Sequence, residues 1–172
     1  MEGLRIRNAR LEDLDAPVVG GENGVYRESM LRHLERVKEY TSVLVVAVQD
    51  SQVLGRAFIE LWGEPPGWWL GGLVVDEKHR GRGVGTALIR HAEWRAGSLG
   101  GSELFLSVGK ENVHALQLYE RLGYTRSGED MSAGLILADG TVVHEREPVW
   151  LMRLDLLPRY GLGSAEEQTE GA

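Results

Sequence analysis

Residues Trp68–Val75 read Trp-Trp-Leu-Gly-Gly-Leu-Val-Val, an almost unbroken apolar run, and shortly after it the apolar spacing changes to that of a helix. A strand that is apolar on both sides has to be covered on both sides, which demands a layered fold around a sheet. The glycine pair Gly71-Gly72 inside the run points to a bulge or to a close approach by something else. Val84, Ala87, Leu88, His91 and Arg95 then mark one helical face, with Ile89 and Ala92 beside it, and the helix runs to about Gly97. Leu104–Val108 is the next strand, so the two strands are expected to run parallel across a helical crossover.

The flanking segments read as antiparallel strands and helices. Leu4–Arg7 alternates as a strand, Arg10–Leu14 turns into a short helix, and Gly20–Gly24 is a loop by its glycines. Ser29 is placed to cap a helix through about Tyr40, with Met30, Leu31, Leu34 and Val37 on one face. Val43–Val48 and Val53–Trp62 form a hairpin about Gln49–Gln52, and Gly63–Gly67 is a second turn. Asn112 precedes a helix to Leu122, with Gly123 in the usual C-terminal position, and Tyr124–Ser127 and Val149–Leu154 are the last strands. The fold class expected is α+β: a mixed, mostly antiparallel sheet with a central parallel strand–helix–strand unit.

Length and composition bound the function. The chain has 172 residues, 42% of them hydrophobic, which suits one domain over residues 1–160 followed by a polar, flexible tail over 161–172. No stretch approaches a membrane span, and Met1–Arg7 lacks the apolar run of a signal peptide. Cysteine is absent, which excludes a disulfide framework, a thiolate metal site and a cysteine nucleophile, and suits the cytoplasm. No His/Asp/Glu cluster has metal-ligand spacing, so no metal is expected. A net charge of −7 argues against nucleic acid and favours a cationic partner. Against that background Lys78, His79, Arg80 and Arg82 form a local basic cluster, the mark of a local anion.

The cluster sits where the chemistry is concentrated, in Val74–Leu88. A buried strand ends, a loop with Gly81, Gly83 and Gly85 follows, and a helix begins. Backbone N–H groups and the helix dipole converge there, glycines let an anion approach, and Arg80 and Arg82 add charge, an assembly suited to a pyrophosphate. The G-x-x-x-x-G-K-S/T loop is absent, and the G-x-G-x-x-G fingerprint fails because Thr86 stands where its third glycine belongs.

Arg80-Gly81-Arg82-Gly83-Val84-Gly85 resembles the Q/R-x-x-G-x-G/A loop of the GNAT family of N-acetyltransferases. Independently, Asn112–Tyr124 resembles that family's N-x-x-A-x-x-L-Y-x-x-x-G-F/Y segment, and Leu4–Leu14 its first strand, so the resemblance covers residues 3 to 155. It implies acetyl-CoA as co-substrate, a splay between the two parallel strands, pantetheine along Leu73, Val74 and Val75, and pyrophosphate on the amides of Arg80, Gly81, Arg82, Gly83, Val84 and Gly85 with Thr86 near. It also implies that Asn112 helps hold the cofactor and that Tyr119 points at the thioester sulfur. The reaction would be direct attack by an amine in a ternary complex, with an oxyanion donor from Leu73 to Val75 and Tyr119 protonating the leaving thiolate.

Each role has a plainer alternative. Tyr119 shares a helix face with Ala115 and Leu122 and could be core, and Asn112 could be only a helix cap. Glu60 is the first candidate for the base, set against a solvated carboxylate on an alternating strand, while Glu64 could meet a cationic acceptor. Trp62, Trp68 and Trp69 are core packing or an aromatic wall for the acceptor. Two functions follow: an N-acetyltransferase for a primary amine of a small molecule or peptide, or a non-catalytic acyl-CoA-binding sensor. Val149–Leu154 could pair across a homodimer interface.

Overall fold

The structure is a computed structural model that describes residues 3–36, 41–62, 67–132, 134–136 and 141–160. The expected tail (161–172), Glu64 and the end of the first long helix (37–40) lie outside the described residues. The fold class is mixed α+β, with mostly antiparallel strands. The chain divides into two compact units, one of Met1–Leu104 with the chain from Asp155, the other of Phe105–Leu154.

In the first unit, β1 (Arg5–Asn8), β2 (Ser42–Gln49), β3 (Gln52–Trp62) and β4 (Gly67–Val75) pair antiparallel in that order. The β2–β3 hairpin turns on Asp50 and Ser51, both with positive φ (48° and 66°). That is the handedness a tight hairpin needs, achieved here without glycine. The segment before β2 is more helical than its glycines imply. Pro17–Gly20 forms α1, with proline preset at the first turn, and α2 spans Arg27–Arg36. Ser29 therefore lies inside α2 rather than capping it.

Every residue of β2 from Ser42 to Val48 is buried, because the strand is covered on both faces. On one face Leu44, Val46 and Val48 pack with Leu14, Val19 and Met30, and Leu31 and Leu34 of α2 pack against them. Asp13 is buried beside this layer: it takes both guanidinium nitrogens of Arg7 (2.7 and 2.8 Å) and the Arg10 N–H (2.6 Å).

The other layer is α3 (Val84–Ser98). Its buried stripe is Val84, Leu88, Ile89, Ala92, Glu93 and Ala96, which corrects the face expected from sequence. His91 and Arg95 are only partly buried. The stripe is shifted because a C-terminal turn also packs on α3. Glu93 is fully buried, bonded to Arg90 (2.8 Å) and to the hydroxyl of Tyr160 (2.9 Å), and Gly97 gives Tyr160 room.

In the second unit, β5 (Glu103–Gly109) leads to α4 (Val113–Leu122) and β6 (Thr125–Met131). A small hairpin of β7 (Leu135–Ile136) and β8 (Val142–His144) follows, absent from the sequence reading, and then β9 (Pro148–Asp155). The Tyr160 turn is α5 (Leu157–Tyr160). β9 lies between β5 and β6. Both of its edges are used within the chain, so the strand expected to pair across a homodimer interface is not free to do so.

Candidate active site

The first unit carries the expected strand–loop–helix. β4 ends at Val75, and Asp76 caps a single 3₁₀ turn, accepting from the Lys78 N–H (3.0 Å) and facing His79 Nδ1 at 3.1 Å. The bond to His79, with that from Lys78, holds the Asp76 carboxyl below its usual range. His79 is thus engaged with Asp76 rather than standing free in solvent. Arg80 donates to the Val75 carbonyl (3.1 Å) and lies 3.4 Å from Glu77, so its exposed guanidinium stays beside the loop.

The glycines have distinguishable reasons. Gly81 and Gly83 have φ of +70° and +81°, which L side chains resist. Gly85 lies inside the helix, where glycine costs about 1 kcal/mol relative to alanine. Packing does not demand it: a Cβ there would meet only Val75 Cγ2, at an ordinary 3.7 Å. Helix α3 starts on Gly83 with no side-chain cap and no acidic residue in its first turn. Its first N–H groups, which have no partner within the helix, are therefore left for a ligand. This arrangement fits a pyrophosphate.

Upstream, β4 carries the predicted bulge. Phe58 pairs with Gly71 and Arg56 with Val74, so Ala57 alone opposes Gly72 and Leu73. Gly72 has φ +56°, and a Cβ on Gly71 or Gly72 would strike the ring of Phe58 at 2.5 Å. The expected pantetheine residues Leu73, Val74 and Val75 are half-buried. Trp68 is core, packed where a Cβ on Gly101 would stand, whereas Trp69 is only half-buried and pairs with Glu60. The side chain of Trp62 lies outside the described residues.

Arg56, Phe58 and Glu60 alternate onto one face of β3. Glu60 is not a solvated carboxylate: it is half-buried, 2.9 Å from Arg36 and 3.8 Å from His33 Nδ1. Burial raises its pKa, and Arg36 opposes the rise. His33 stacks on Phe58 (3.8 Å between centroids) and bonds Ser42 (2.9 Å). Burial first, and then the charges of Arg36, Arg56 and Arg32, lower its pKa from 6.5 to about 4. The neutral ring is what the fold holds, so His33 contributes stability that is complete above pH 6.5 and disappears as the pH falls to about 4. Urea unfolding of wild type should lose on the order of 3 kcal/mol across that window that His33→Gln does not lose.

In the second unit, Asn112 does cap α4: its Oδ1 accepts from the Ala115 N–H at 3.1 Å. Gly123, at φ +96°, closes the helix. Tyr119 is buried, edge-on to Tyr124 at 5.6 Å, and burial pushes its hydroxyl up to about 12. The core alternative and the acid role thus share one geometry.

The strand expected to be covered on both sides is only half-buried towards its end, and it leads into a helix start with no side-chain cap and no carboxylate, an arrangement compatible with an anionic ligand. The sequence model of the acetyltransferase (GNAT) family matches residues 8–124. An N-alpha-acetyltransferase of Sulfurisphaera tokodaii is 33% identical over 137 residues, covering 70% of this chain and 79% of the relative. An uncharacterized N-acetyltransferase of Bacillus subtilis is 44% identical over 61 residues, 35% of this chain, and there the chain spans only 24% of the relative's length. A putative acetyltransferase of Salmonella typhimurium, solved with acetyl-CoA, superposes with a TM-score of 0.67 at 17% identity, covering 90% of this chain and 95% of that one. The chain belongs to the acetyltransferase (GNAT) family.

Proposed function

We propose that the protein transfers the acetyl group of acetyl-CoA to a primary amine, with a peptide α-amine as the acceptor to test first. The start of α3 carries this reading: glycine at position 85, which neither backbone conformation nor packing requires, a helix end without cap or carboxylate, and Arg80 beside it. The relative matched over 79% of its length is named an N-alpha-acetyltransferase, which supports both catalysis and the acceptor class. A net charge of −7 suits a cationic acceptor, and the lack of cysteine suits the cytoplasm.

In this reading the loop from Arg80 to Gly85, with Thr86, holds pyrophosphate, Leu73–Val75 and Asn112 hold the rest of the handle, and acetyl-CoA supplies an activated acyl carbon. The amine arrives as an ammonium, its ordinary pKa being about 10.4. Glu60 takes its proton, directly or through water, which its raised pKa favours. The nitrogen lone pair forms the new C–N bond, the C–S bond breaks, and the departing thiolate takes the Tyr119 proton. The surplus proton left on the new amide nitrogen and the one on Glu60 pass to solvent, and Tyr119 recovers one from it, so one ammonium and one acetyl-CoA yield one amide, one CoA thiol and one released proton.

Incubation with acetyl-CoA and peptides bearing a free or a blocked α-amine tests this by thiol release. Release only with the free amine is expected, and silence across peptides, polyamines and amino acids overturns the proposal. Glu60→Gln should lower kcat by about 10²–10⁴ and remove the acid limb of the pH profile.

A further inference from the structure

Arg56 is a buried cation beside the β4 bulge. It is 4% exposed, and among the described residues it forms no ion pair. Its Nη1 donates to the Gly72 carbonyl at 2.5 Å, its Nε to the Val18 carbonyl at 3.1 Å, and its guanidinium lies 5.5 Å from the ring centre of Tyr26. A charge taken out of water without a counter-ion is costly, and an apolar residue would fill that space at lower cost. Burial lowers its pKa only to about 10, so it is a cation at neutral pH. Such a group is retained where its donors and charge are used.

The carbonyl it holds belongs to the bulge. Gly72 and Leu73 are the β4 residues left without one-to-one partners on β3, so the ladder does not orient the peptide between them. In a trans peptide the C=O and the following N–H point in opposite directions. Fixing the Gly72 oxygen on Arg56 therefore aims the Leu73 N–H away from Arg56. Leu73 begins the stretch expected to donate to the thioester oxygen.

We propose that Arg56 is a positioning residue: its guanidinium, tied to α1 through Val18 and seated on Tyr26, locks the Gly72–Leu73 peptide so that the Leu73 N–H serves as the oxyanion donor. This rests on the acetyltransferase reading above and adds to it the device that orients the donor. The buried charge also polarises that peptide, strengthening the N–H as a donor. The same contacts tie the bulge to the α1–Tyr26 segment.

The test uses acetyl-CoA labelled with ¹³C at the carbonyl, bound to wild type and to Arg56→Met, with isotope-edited infrared spectroscopy of the acetyl C=O band. In wild type the band should shift to lower frequency than in solution. In Arg56→Met it should return most of the way, while affinity for CoA, which has no acetyl oxygen, stays within about threefold and kcat falls about 100-fold. If Arg56→Met does not fold, Arg56→Gln, also neutral, is judged by the same criteria. A band unmoved by the folded neutral variant, whatever the loss of kcat, overturns the positioning role alone. A wild type that binds no acetyl-CoA overturns the acetyltransferase reading and this one with it.

Discussion

Calorimetric titration should show acetyl-CoA binding wild type one to one and failing to bind the Arg80→Glu/Gly83→Asp double variant. The double variant places one carboxylate at the start of α3 and replaces the guanidinium beside it with another. A helix N-terminus that favours an anion then repels it. Losing one charge-assisted contact and adding one repulsion amounts to about 3 kcal/mol or more, at least about 100-fold in Kd. Strain is the competing explanation, because Gly83 has φ +81°. Gly100→Asp separates the two. Gly100 has φ +87° and open space about it, but it lies beyond the other end of α3. It therefore introduces the same charge and a similar strain as Gly83→Asp but away from the loop, and should bind acetyl-CoA as wild type does. Equal loss in both variants would sink the loop assignment.

Tyr119→Phe should lower kcat by about 10²–10³, with KM for acetyl-CoA within a few-fold of wild type. The substitution keeps the ring and its edge-on contact with Tyr124, so packing is preserved. The melting temperature should not fall, since the change removes only a buried hydroxyl. A pKa pushed up to about 12 keeps Tyr119 protonated at every working pH, so it produces no alkaline limb below about pH 10. Burst-free kinetics with unchanged kcat in Tyr119→Phe would assign the residue to the core. Leaving-group dependence gives a second readout: a lower-pKa thiol needs less help in departing, so the defect should shrink with such donors.

Features set by local chemistry were legible in the residues. Gly123 takes positive φ, as its place after the helix implied, and Gly81 and Gly83, expected to give an anion room, take it too. Asn112 caps α4 through its own third following amide. Gly71-Gly72 marks the bulge in an otherwise apolar strand. Each depends on neighbours a few positions away, so sequence order stands in for space. The failures also have local reasons. Ser29 has the chemistry of a cap, but α2 begins earlier, and the β7–β8 hairpin is too short to impose an alternating pattern.

What joins the candidate site across the chain was not legible. Arg56 carries no motif, and its partners are the carbonyls of Val18 and Gly72, separated from it by 38 and 16 positions. Backbone oxygens are the same at every residue, so no sequence pattern could name them. Glu60 reads from sequence as either a base or a solvated carboxylate on an alternating strand, and only the fold brings Arg36 and His33 against it, 24 residues and more away. Sequence alone determined most of the elements, the loop and the family, because these follow from propensities and spacing within one stretch of chain. Tertiary structure decided which charges lose their water. That loss sets whether Glu60 can hold a proton, whether His33 stays neutral and what Arg56 is bound to orient, because desolvation depends on everything that packs around a group.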